Sequence, residues 1–220
     1  MRPSPAYREL DVLRAEYAEK GPAIRRRLAE FRTVGRRPDR ELFEELCFCL
    51  LAVQTKARAS DAAVRDLADA GLLWSGDAEA VARSLRRRIR FHNQKAAFLV
   101  AARERFFGGP RPLLREALDA VPVPSAARGW LVAEVDGLGF KEASHFLRNI
   151  GRGDGLAILD RHILRNLLRH GVLRRTPSSL TPRRYLEIEV TMRRFSEAVG
   201  IGMEELDLVF WSRATGEIFK

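Results

Sequence analysis

The chain has 220 residues, enough for one large domain or for two closely packed lobes. Hydrophobic residues make up 46% and charged residues 31%, which excludes a wholly disordered chain. No apolar run approaches the roughly 20 residues that cross a bilayer, and the first residues do not resemble a secretion signal. We therefore expect no membrane contact and a cytoplasmic location. Cys47 and Cys49 lie in an apolar stretch and are expected to be buried hydrophobic residues, so neither a disulfide nor a cysteine-ligated cluster is predicted.

The positive charge indicates a polyanionic partner. Lysine and arginine together number 39 against 29 acidic residues, a net charge of +10. Nucleic acid is the commonest such partner, although an arginine-biased genome would produce the same excess. Arginine stays protonated, whereas a buried lysine can lose its proton and act as a nucleophile. Each lysine in this arginine-rich chain is therefore worth examining: Lys20, Lys56, Lys95, Lys141 and Lys220.

Helical signals dominate from one end of the chain to the other. Ser4-Pro5 is typical of a helix start, and Gly21 is expected to end that first helix. Asp39, Asp77, Asn93 and Thr181 are predicted N-caps of later helices. The predicted helices cover 4–21, 39–53, 56–70, 77–85, 93–107, 125–134, 140–150, 159–170, 182–199 and 203–212. No stretch alternates apolar and polar residues long enough to require a sheet, so the fold class is predicted to be all-α.

A glycine-containing turn joins the two predicted helices around residue 138. Gly137 and Gly139 are both expected to adopt positive φ and to let the backbone approach another backbone closely. They would also leave amide N–H groups free at the start of the second helix, where the helix dipole favours a phosphate. A helix-hairpin-helix that grips the DNA backbone has this layout. An αα-hairpin without a ligand has it as well.

Two residues near this hairpin could carry chemistry. Lys141 lies at the start of the second helix, and Asp160 follows a later apolar segment. Taken singly, Lys141 could be a solvated lysine and Asp160 an N-cap. Taken together with the hairpin, they fit an amine that attacks a sugar carbon.

Three segments resemble the type-2 8-oxoguanine DNA glycosylase/AP lyases of the helix-hairpin-helix base-excision repair superfamily. They are Gly-Leu-Gly-Phe-Lys at 137–141, Ala-Ser-His-Phe-Leu-Arg-Asn at 143–149 and Leu-Asp-Arg-His-Ile at 159–163. Weaker support comes from 89–96, Asp207-Leu208, Trp211 and the final Lys220. The absence of four cysteines after Asp160 separates the chain from the iron–sulfur endonuclease III branch.

The resemblance implies a bifunctional repair enzyme. Lys141 would attack C1′ of the damaged nucleotide and form a Schiff base, after which β-elimination would cut the strand on its 3′ side. Asp160 would stabilise charge on the sugar and assist proton transfers. The damaged base would be flipped out of the helix, and neither a metal nor an organic cofactor would be required.

Base recognition is assigned to four further residues, each with a structural alternative. The resemblance implies that the terminus at Lys220 accepts a hydrogen bond from N7–H, which 8-oxoguanine has and guanine lacks; a frayed terminus is the alternative. Gln54 would fill the gap left by the flipped base, or only cap a helix end. Phe91 and Trp211 would stack on a base, or pack in the core. His145 and His162 are expected to be structural histidines with satisfied hydrogen bonds.

The predicted architecture is an all-α protein with two lobes and a DNA cleft between them. Residues 40–150 would form a helical barrel lobe with the hairpin near 125–150, and 1–39 plus 151–220 would form the second lobe. Lys141 and Asp160 would meet at the junction. The expected partner is double-stranded DNA containing oxidised guanine, bound by a monomer in the cytoplasm with the nucleoid. Two alternatives stay open: the same chemistry on another oxidised base, and a non-catalytic helix-hairpin-helix module that binds DNA.

Overall fold

The structure is a computed structural model that describes residues 7–220, so the predicted helix start at Ser4-Pro5 lies outside the described residues. Within this range the chain forms α-helices and no strands, which confirms the all-α class. None of these helices is both long and apolar enough to cross a membrane. The helices are α1 (Leu10–Val34), α2 (Asp39–Leu51), α3 (Ala57–Asp69), α4 (Leu72–Ser75), α5 (Ala78–Leu85), α6 (His92–Phe107), α7 (Leu114–Asp119), α8 (Pro124–Glu134), α9 (Phe140–Asn149), α10 (Arg161–Arg169), α11 (Pro182–Val199) and α12 (Met203–Thr215).

The buried apolar side chains form two separate clusters. The first core draws on residues 42–156, from α2 to α9 and the loop that follows α9. The second core draws on residues 13–31 of α1 and on residues 157–210, from the segment before α10 into α12. These cores describe side-chain packing alone. The division into lobes at residues 40–150 and at 1–39 plus 151–220 stays a prediction.

A buried ion pair joins α8, which contributes to the first core, to α11, which contributes to the second. The Arg128 guanidinium donates to both carboxylate oxygens of Glu189, at 2.6 and 3.0 Å, and both side chains are buried. Glu189 also accepts the backbone N–H of Ala157 at 2.8 Å. A two-pronged contact of this kind fixes direction as well as distance. It therefore holds α8, the first helix of the hairpin, against the segment that leads to Asp160.

The prediction that the first helix ends at Gly21 is wrong. Helix α1 continues through Gly21 and Pro22 to Val34. Its second half buries Ile24 and Phe31 in the second core, to which Leu13 of its first half also belongs. The gain from burying this apolar face outweighs the poor helix propensity of glycine and the backbone hydrogen bond that proline removes.

Two of the predicted N-caps are wrong. The N-cap of α2 is Pro38, and Asp39 is the first helical residue, where its Oδ2 accepts the backbone N–H of Arg115 at 3.1 Å. The N-cap of α6 is Phe91 rather than Asn93. For Asp39, the contact with Arg115 overrides the local capping preference, whereas Asn93 lies inside α6 because that helix begins at His92.

Two other predicted caps are confirmed. Asp77 caps α5 by accepting the Ala80 N–H at 2.7 Å, and Thr181 caps α11 by accepting the Arg184 N–H at 3.3 Å. The short helices α4 and α7 were not predicted. Each spans six residues or fewer, too short for a periodic apolar pattern to mark it.

Candidate active site

A cleft of about 900 Å³ opens beside the start of α9. The cleft is lined by the turn after α2 with the start of α3, by Arg90 before α6, by α9, by the segment before α10 with the start of that helix, and by α12 with the residues that follow it. Among the predicted site residues, the cleft is lined by Gln54, Lys141, Asp160, Trp211 and Lys220. The structure thus brings most of the predicted set together.

The hairpin corrects one expectation about its glycines. Gly137 has φ +81°, whereas Gly139 has φ −91° and is the extended N-cap of α9. A Cβ atom added to Gly137 would lie 2.2 Å from the ring of Phe98, so the close approach is to a side chain and not to a backbone. A Cβ atom on Gly139 would meet only the flexible end of Glu142, at 3.1 Å. Only Gly137 is therefore required by conformation and space.

Lys141 is the second residue of α9, and its side chain is 25% exposed. Its Nζ lies 3.3 Å from Oε1 of Glu142. The helix has no side-chain cap, so the amide groups of its first turn have no side-chain acceptor. Three cleft-lining residues lie on one face of α9 at the spacing of helical turns, namely Lys141, His145 and Arg148.

Asp160 caps α10 and also lines the cleft. Its Oδ1 accepts the backbone N–H groups of His162 and Ile163, at 2.7 and 2.8 Å. Both of these hydrogen bonds end on Oδ1, and Oδ2 accepts no hydrogen bond from the described residues. The cap fixes the carboxylate in place because two backbone groups hold it. The capping role is therefore real, and it is compatible with a role in the cleft.

His145 is not the satisfied structural histidine that we expected. Its side chain is buried, yet neither ring nitrogen has a hydrogen-bond partner among residues 7–220. Burial lowers the pKa of His145 well below its ordinary value, and the neighbouring cations Arg148, Lys141 and Lys220 act in the same direction. The Lys220 backbone lies near the ring and raises the pKa of His145, although the contact does not meet the geometry of a hydrogen bond. The ring is thus neutral near pH 7.

His162 is half-buried, lines the same cleft and lies edge-on to Trp211, with ring centres 5.4 Å apart. The Nε1 group of Trp211 is buried without a hydrogen-bond partner among the described residues. Unpaired buried polar groups are costly unless a ligand or water meets them. The floor of the cleft therefore offers polar groups to a molecule that enters it.

Arg148 and Asp207 form a buried ion pair that sequence reasoning did not identify. Their charged groups are 3.1 Å apart, and both residues line the cleft. Burial raises the pKa of Asp207 to about 6; Arg148 opposes this rise and Asp160 adds to it. Arg148 and Asp207 both lie in segments that carry the family resemblance, and Arg148 keeps helical spacing from Lys141, but neither signal indicates that the two residues pair. The two are distant in sequence, so the pair itself could not be predicted.

Lys220 and Phe219 are packed rather than frayed. The ammonium group of Lys220 lies 3.0 Å from Glu45 and 2.7 Å from Asp61. Phe219 is buried beneath the guanidinium of Arg58, 3.9 Å from the ring centre, and Arg58 also pairs with Glu217. These contacts hold the segment against α2 and α3.

The two remaining predicted residues have unusual backbones. Gln54 is exposed at the cleft with φ +51°, and Phe91 is 52% exposed with φ +57°. Phe91 does not line the cleft, whereas its neighbour Arg90 does. The core-packing alternative for Phe91 does not hold because the ring is exposed. Its contact with a base stays a prediction.

Among residues 7–220, no group of three or more His, Cys, Asp or Glu side chains has the arrangement of a metal site. Cys47 and Cys49 are buried, and burial raises the pKa of both thiols well above the ordinary value.

Comparison with known proteins identifies the family. The family model for 8-oxoguanine DNA glycosylase matches residues 24–201. An 8-oxoguanine DNA glycosylase/AP lyase of Fusobacterium nucleatum is 39% identical, with 93% of this chain and 94% of that protein covered. One from Methanocaldococcus jannaschii is 36% identical, with 90% and 91% covered.

Solved structures agree with the sequence relatives. The 8-oxoguanine DNA glycosylase of Thermotoga maritima has a TM-score of 0.83 at 32% identity, covering 96% of this chain and 98% of its own. The Methanocaldococcus jannaschii 8-oxoguanine glycosylase/lyase, solved in complex with a 15mer DNA containing 8-oxoguanine, has a TM-score of 0.84 at 32% identity, covering 95% and 100%. From its helical fold, its cleft and these matches over nearly the whole chain, this protein belongs to the 8-oxoguanine DNA glycosylase family.

Proposed function

We propose that this protein is a bifunctional DNA glycosylase/AP lyase. It excises 8-oxoguanine from double-stranded DNA and cuts the strand 3′ to the abasic site by β-elimination. The observation that carries the proposal is that Lys141 and Asp160 line one cleft in a chain of this family. The related Methanocaldococcus jannaschii enzyme, whose structure contains DNA with 8-oxoguanine, supports the same substrate.

DNA would be held mainly through its phosphates. Arg58, Arg90 and Arg161 line the cleft, and the chain carries a net charge of +10. The turn at Gly137 and Gly139 presents the uncapped start of α9, where backbone amides and the helix dipole favour a phosphate oxygen. One chain supplies every residue that lines this cleft, and we propose that the enzyme acts as a monomer, in the cytoplasm with the nucleoid.

The damaged base would leave the stack and enter the cleft. Gln54, exposed at the cleft, would occupy the space that the base vacates. Trp211 and Phe91 would offer aromatic faces for stacking. An acceptor at Lys220 would bind the N7–H of 8-oxoguanine and would meet an unfavourable lone pair on guanine. The packed position of Lys220 supports this role because a fixed acceptor discriminates better than a mobile one.

The chemistry requires an unprotonated amine as the nucleophile, and Lys141 supplies it. Its nitrogen attacks C1′, the bond from C1′ to the base breaks, and the base leaves with that electron pair and takes up a proton. Asp160 stabilises the positive charge that develops on the sugar and takes a proton from the Lys141 nitrogen as the new bond forms. The carboxylate is suited to this because its cap hydrogen bonds hold it in place before the reaction.

Strand cleavage uses the same covalent bond. The lone pair on the Lys141 nitrogen expels the ring oxygen O4′, which takes up a proton, and a protonated Schiff base forms at C1′. Loss of a proton from C2′ then expels the 3′ phosphate. Water adds to C1′ of the product and releases the lysine, so the enzyme is regenerated without a reductant or an oxidant.

A panel of duplexes tests the proposal. Wild type, Lys141→Gln and Lys20→Gln are compared on DNA with one 8-oxoguanine, one oxidised pyrimidine, one abasic site or no damage. Lys20 is the matched control because its Nζ bonds to Ser212 at 3.1 Å and it does not line the cleft.

We expect wild type and Lys20→Gln to cut the 8-oxoguanine and abasic duplexes. Lys141→Gln should bind both without cutting either. Preferential cutting of the pyrimidine duplex would refute the proposed substrate, and full activity in Lys141→Gln would refute the nucleophile. If wild type cuts no duplex, the protein is a DNA-binding module.

A further inference from the structure

One buried lysine has no part in the proposed chemistry. Lys95 of α6 is 4% exposed, and its Nζ donates to the Leu51 carbonyl at 2.7 Å, to the Val53 carbonyl at 2.6 Å and to Thr55 Oγ1 at 3.1 Å. These acceptors belong to the last residue of α2 and to the turn formed by residues 52–55. An ammonium group has three N–H donors, and each one here has an acceptor. Lys95 therefore ties α6 to the 52–55 turn.

The 52–55 turn carries Gln54, which lines the cleft with φ +51°. Left-handed backbone is unfavourable for a residue other than glycine and persists only where the surroundings impose it. The turn's own contacts are few: the Thr55 N–H bonds to the Ala52 carbonyl, and the Thr55 hydroxyl bonds to the Val53 carbonyl, both at 3.2 Å. The charged hydrogen bonds from Lys95 are shorter, and they are the strongest restraint on this turn.

The backbone of Lys95 also bonds to Phe91, another exposed residue with left-handed backbone. Its own N–H donates to the carbonyl of Phe91 at 3.0 Å, in the first turn of α6. Phe91 is the N-cap of α6, with φ +57° and its ring 52% exposed. One residue thus holds Gln54 through its side chain and lies one helical turn from Phe91. These are two of the residues assigned above to contact with the DNA bases.

Lys95 is not a second candidate nucleophile. Burial lowers the pKa of Lys95 to about 8, a property often found in lysines that form Schiff bases. However, its donors all point to α2 and the turn, and the cleft-lining residues include Lys141 and not Lys95. Geometry decides the assignment because an amine that cannot reach C1′ cannot attack it.

We propose that Lys95 is a positioning residue, which sets Gln54 in the arrangement needed to extrude the damaged base. This inference rests on the proposed function. It assigns Lys95 to base extrusion rather than to bond cleavage. Replacing Lys95 should therefore slow removal of a base that is stacked and paired much more than it slows cutting at a site that has already lost its base.

The test compares Lys95→Met with wild type and with Lys20→Met, in which a lysine outside the cleft loses its single hydrogen bond to Ser212. Single-turnover rates are measured on an 8-oxoguanine duplex and on an abasic duplex. A 2-aminopurine next to the lesion reports extrusion by its fluorescence. We expect Lys95→Met to lower the excision rate about tenfold or more and abasic cleavage about twofold or less, with a smaller fluorescence rise. Lys20→Met should match wild type.

Equal loss on both duplexes, or no loss on either, would overturn the inference. Failure of the proposed function has a different signature, since wild type itself would then cut neither duplex. If Lys95→Met proves too unstable to assay, Lys95→Gln retains a donor and part of the side-chain length.

A double-mutant cycle with Gln54→Ala provides an independent result. Because Lys95 is inferred to act through Gln54, either Lys95 variant should cost much less excision activity in the Gln54→Ala background than in wild type. Additive losses would show that Lys95 does not act through the 52–55 turn.

Discussion

Asp160 combines a structural and a chemical role that substitutions can separate. Its Oδ1 accepts two backbone N–H groups at the start of α10. Alanine removes both hydrogen bonds, and we expect a loss of about 1–2 kcal/mol in the free energy of unfolding. Asparagine retains an oxygen acceptor and loses only the favourable interaction of the charge with the helix dipole, about 0.5 kcal/mol. Asp160→Asn should thus be nearly as stable as wild type.

The rate of excision should depend on the negative charge of Asp160 and not on its capping hydrogen bonds. A carboxylate beside a sugar that becomes positive stabilises the transition state, and removing such a group typically costs about a hundredfold or more in rate. We therefore expect Asp160→Asn and Asp160→Ala to be similarly slow in single-turnover excision of 8-oxoguanine, although urea denaturation should separate their stabilities by about 1 kcal/mol.

Asp77 supplies the matched control. It caps α5 by accepting the Ala80 N–H at 2.7 Å and does not line the cleft. Asp77→Ala should lose about 1 kcal/mol of stability and retain the wild-type rate. The reasoning is refuted if Asp160→Asn excises the lesion as fast as wild type, because Asp160 would then be a cap alone. It is also refuted if Asp77→Ala slows excision as much as Asp160→Ala does.

Three further predictions concern the hairpin, the buried acid and the recognition residue. Gly137→Ala should cost about 2–4 kcal/mol in urea denaturation, because its φ is +81° and its Cβ would meet the Phe98 ring, whereas Gly139→Ala should cost about 1 kcal/mol or less. Asp207 has its pKa raised to about 6 in the folded protein, so it contributes stability at low pH that is lost as pH rises through about 6; relative to Asp207→Asn, wild type should lose up to about 3 kcal/mol of unfolding free energy between pH 4 and 8. A pH-independent difference between the two would contradict this. Deleting Lys220 should reduce the ratio of 8-oxoguanine to guanine excision, and an unchanged ratio would remove it from base recognition.

Local sequence signals predicted the helices whose ends depend on local contacts. Thr181-Pro182 opens α11 and Asp77 caps α5 because each side chain bonds to a backbone group three residues away. The extent of α1 was not predictable in this way. Its continuation past Gly21 depends on burial of Ile24 and Phe31 against elements near the other end of the sequence.

In the candidate site, too, residues in local sequence patterns were predicted, whereas residues that depend on distant partners were not. Lys141 and Asp160 were predicted because the hairpin and the segment before α10 have recognisable patterns, and the structure places both on one cleft. Lys95 bonds to a carbonyl 44 residues away, and Arg148 pairs with Asp207 across a still longer separation. A single sequence contains no signal for such partners. Their importance emerges only when burial and distance are known.

The most direct test of the central claim is to locate the covalent bond. Wild-type protein is incubated with a duplex containing one 8-oxoguanine in the presence of borohydride, which reduces the Schiff base to a stable amine, and the adduct is digested and mapped by mass spectrometry. The account predicts a single modified residue, Lys141, and no adduct with the undamaged duplex. Modification of Lys95 or another lysine, or the absence of any adduct on a duplex that the protein cuts, would contradict it.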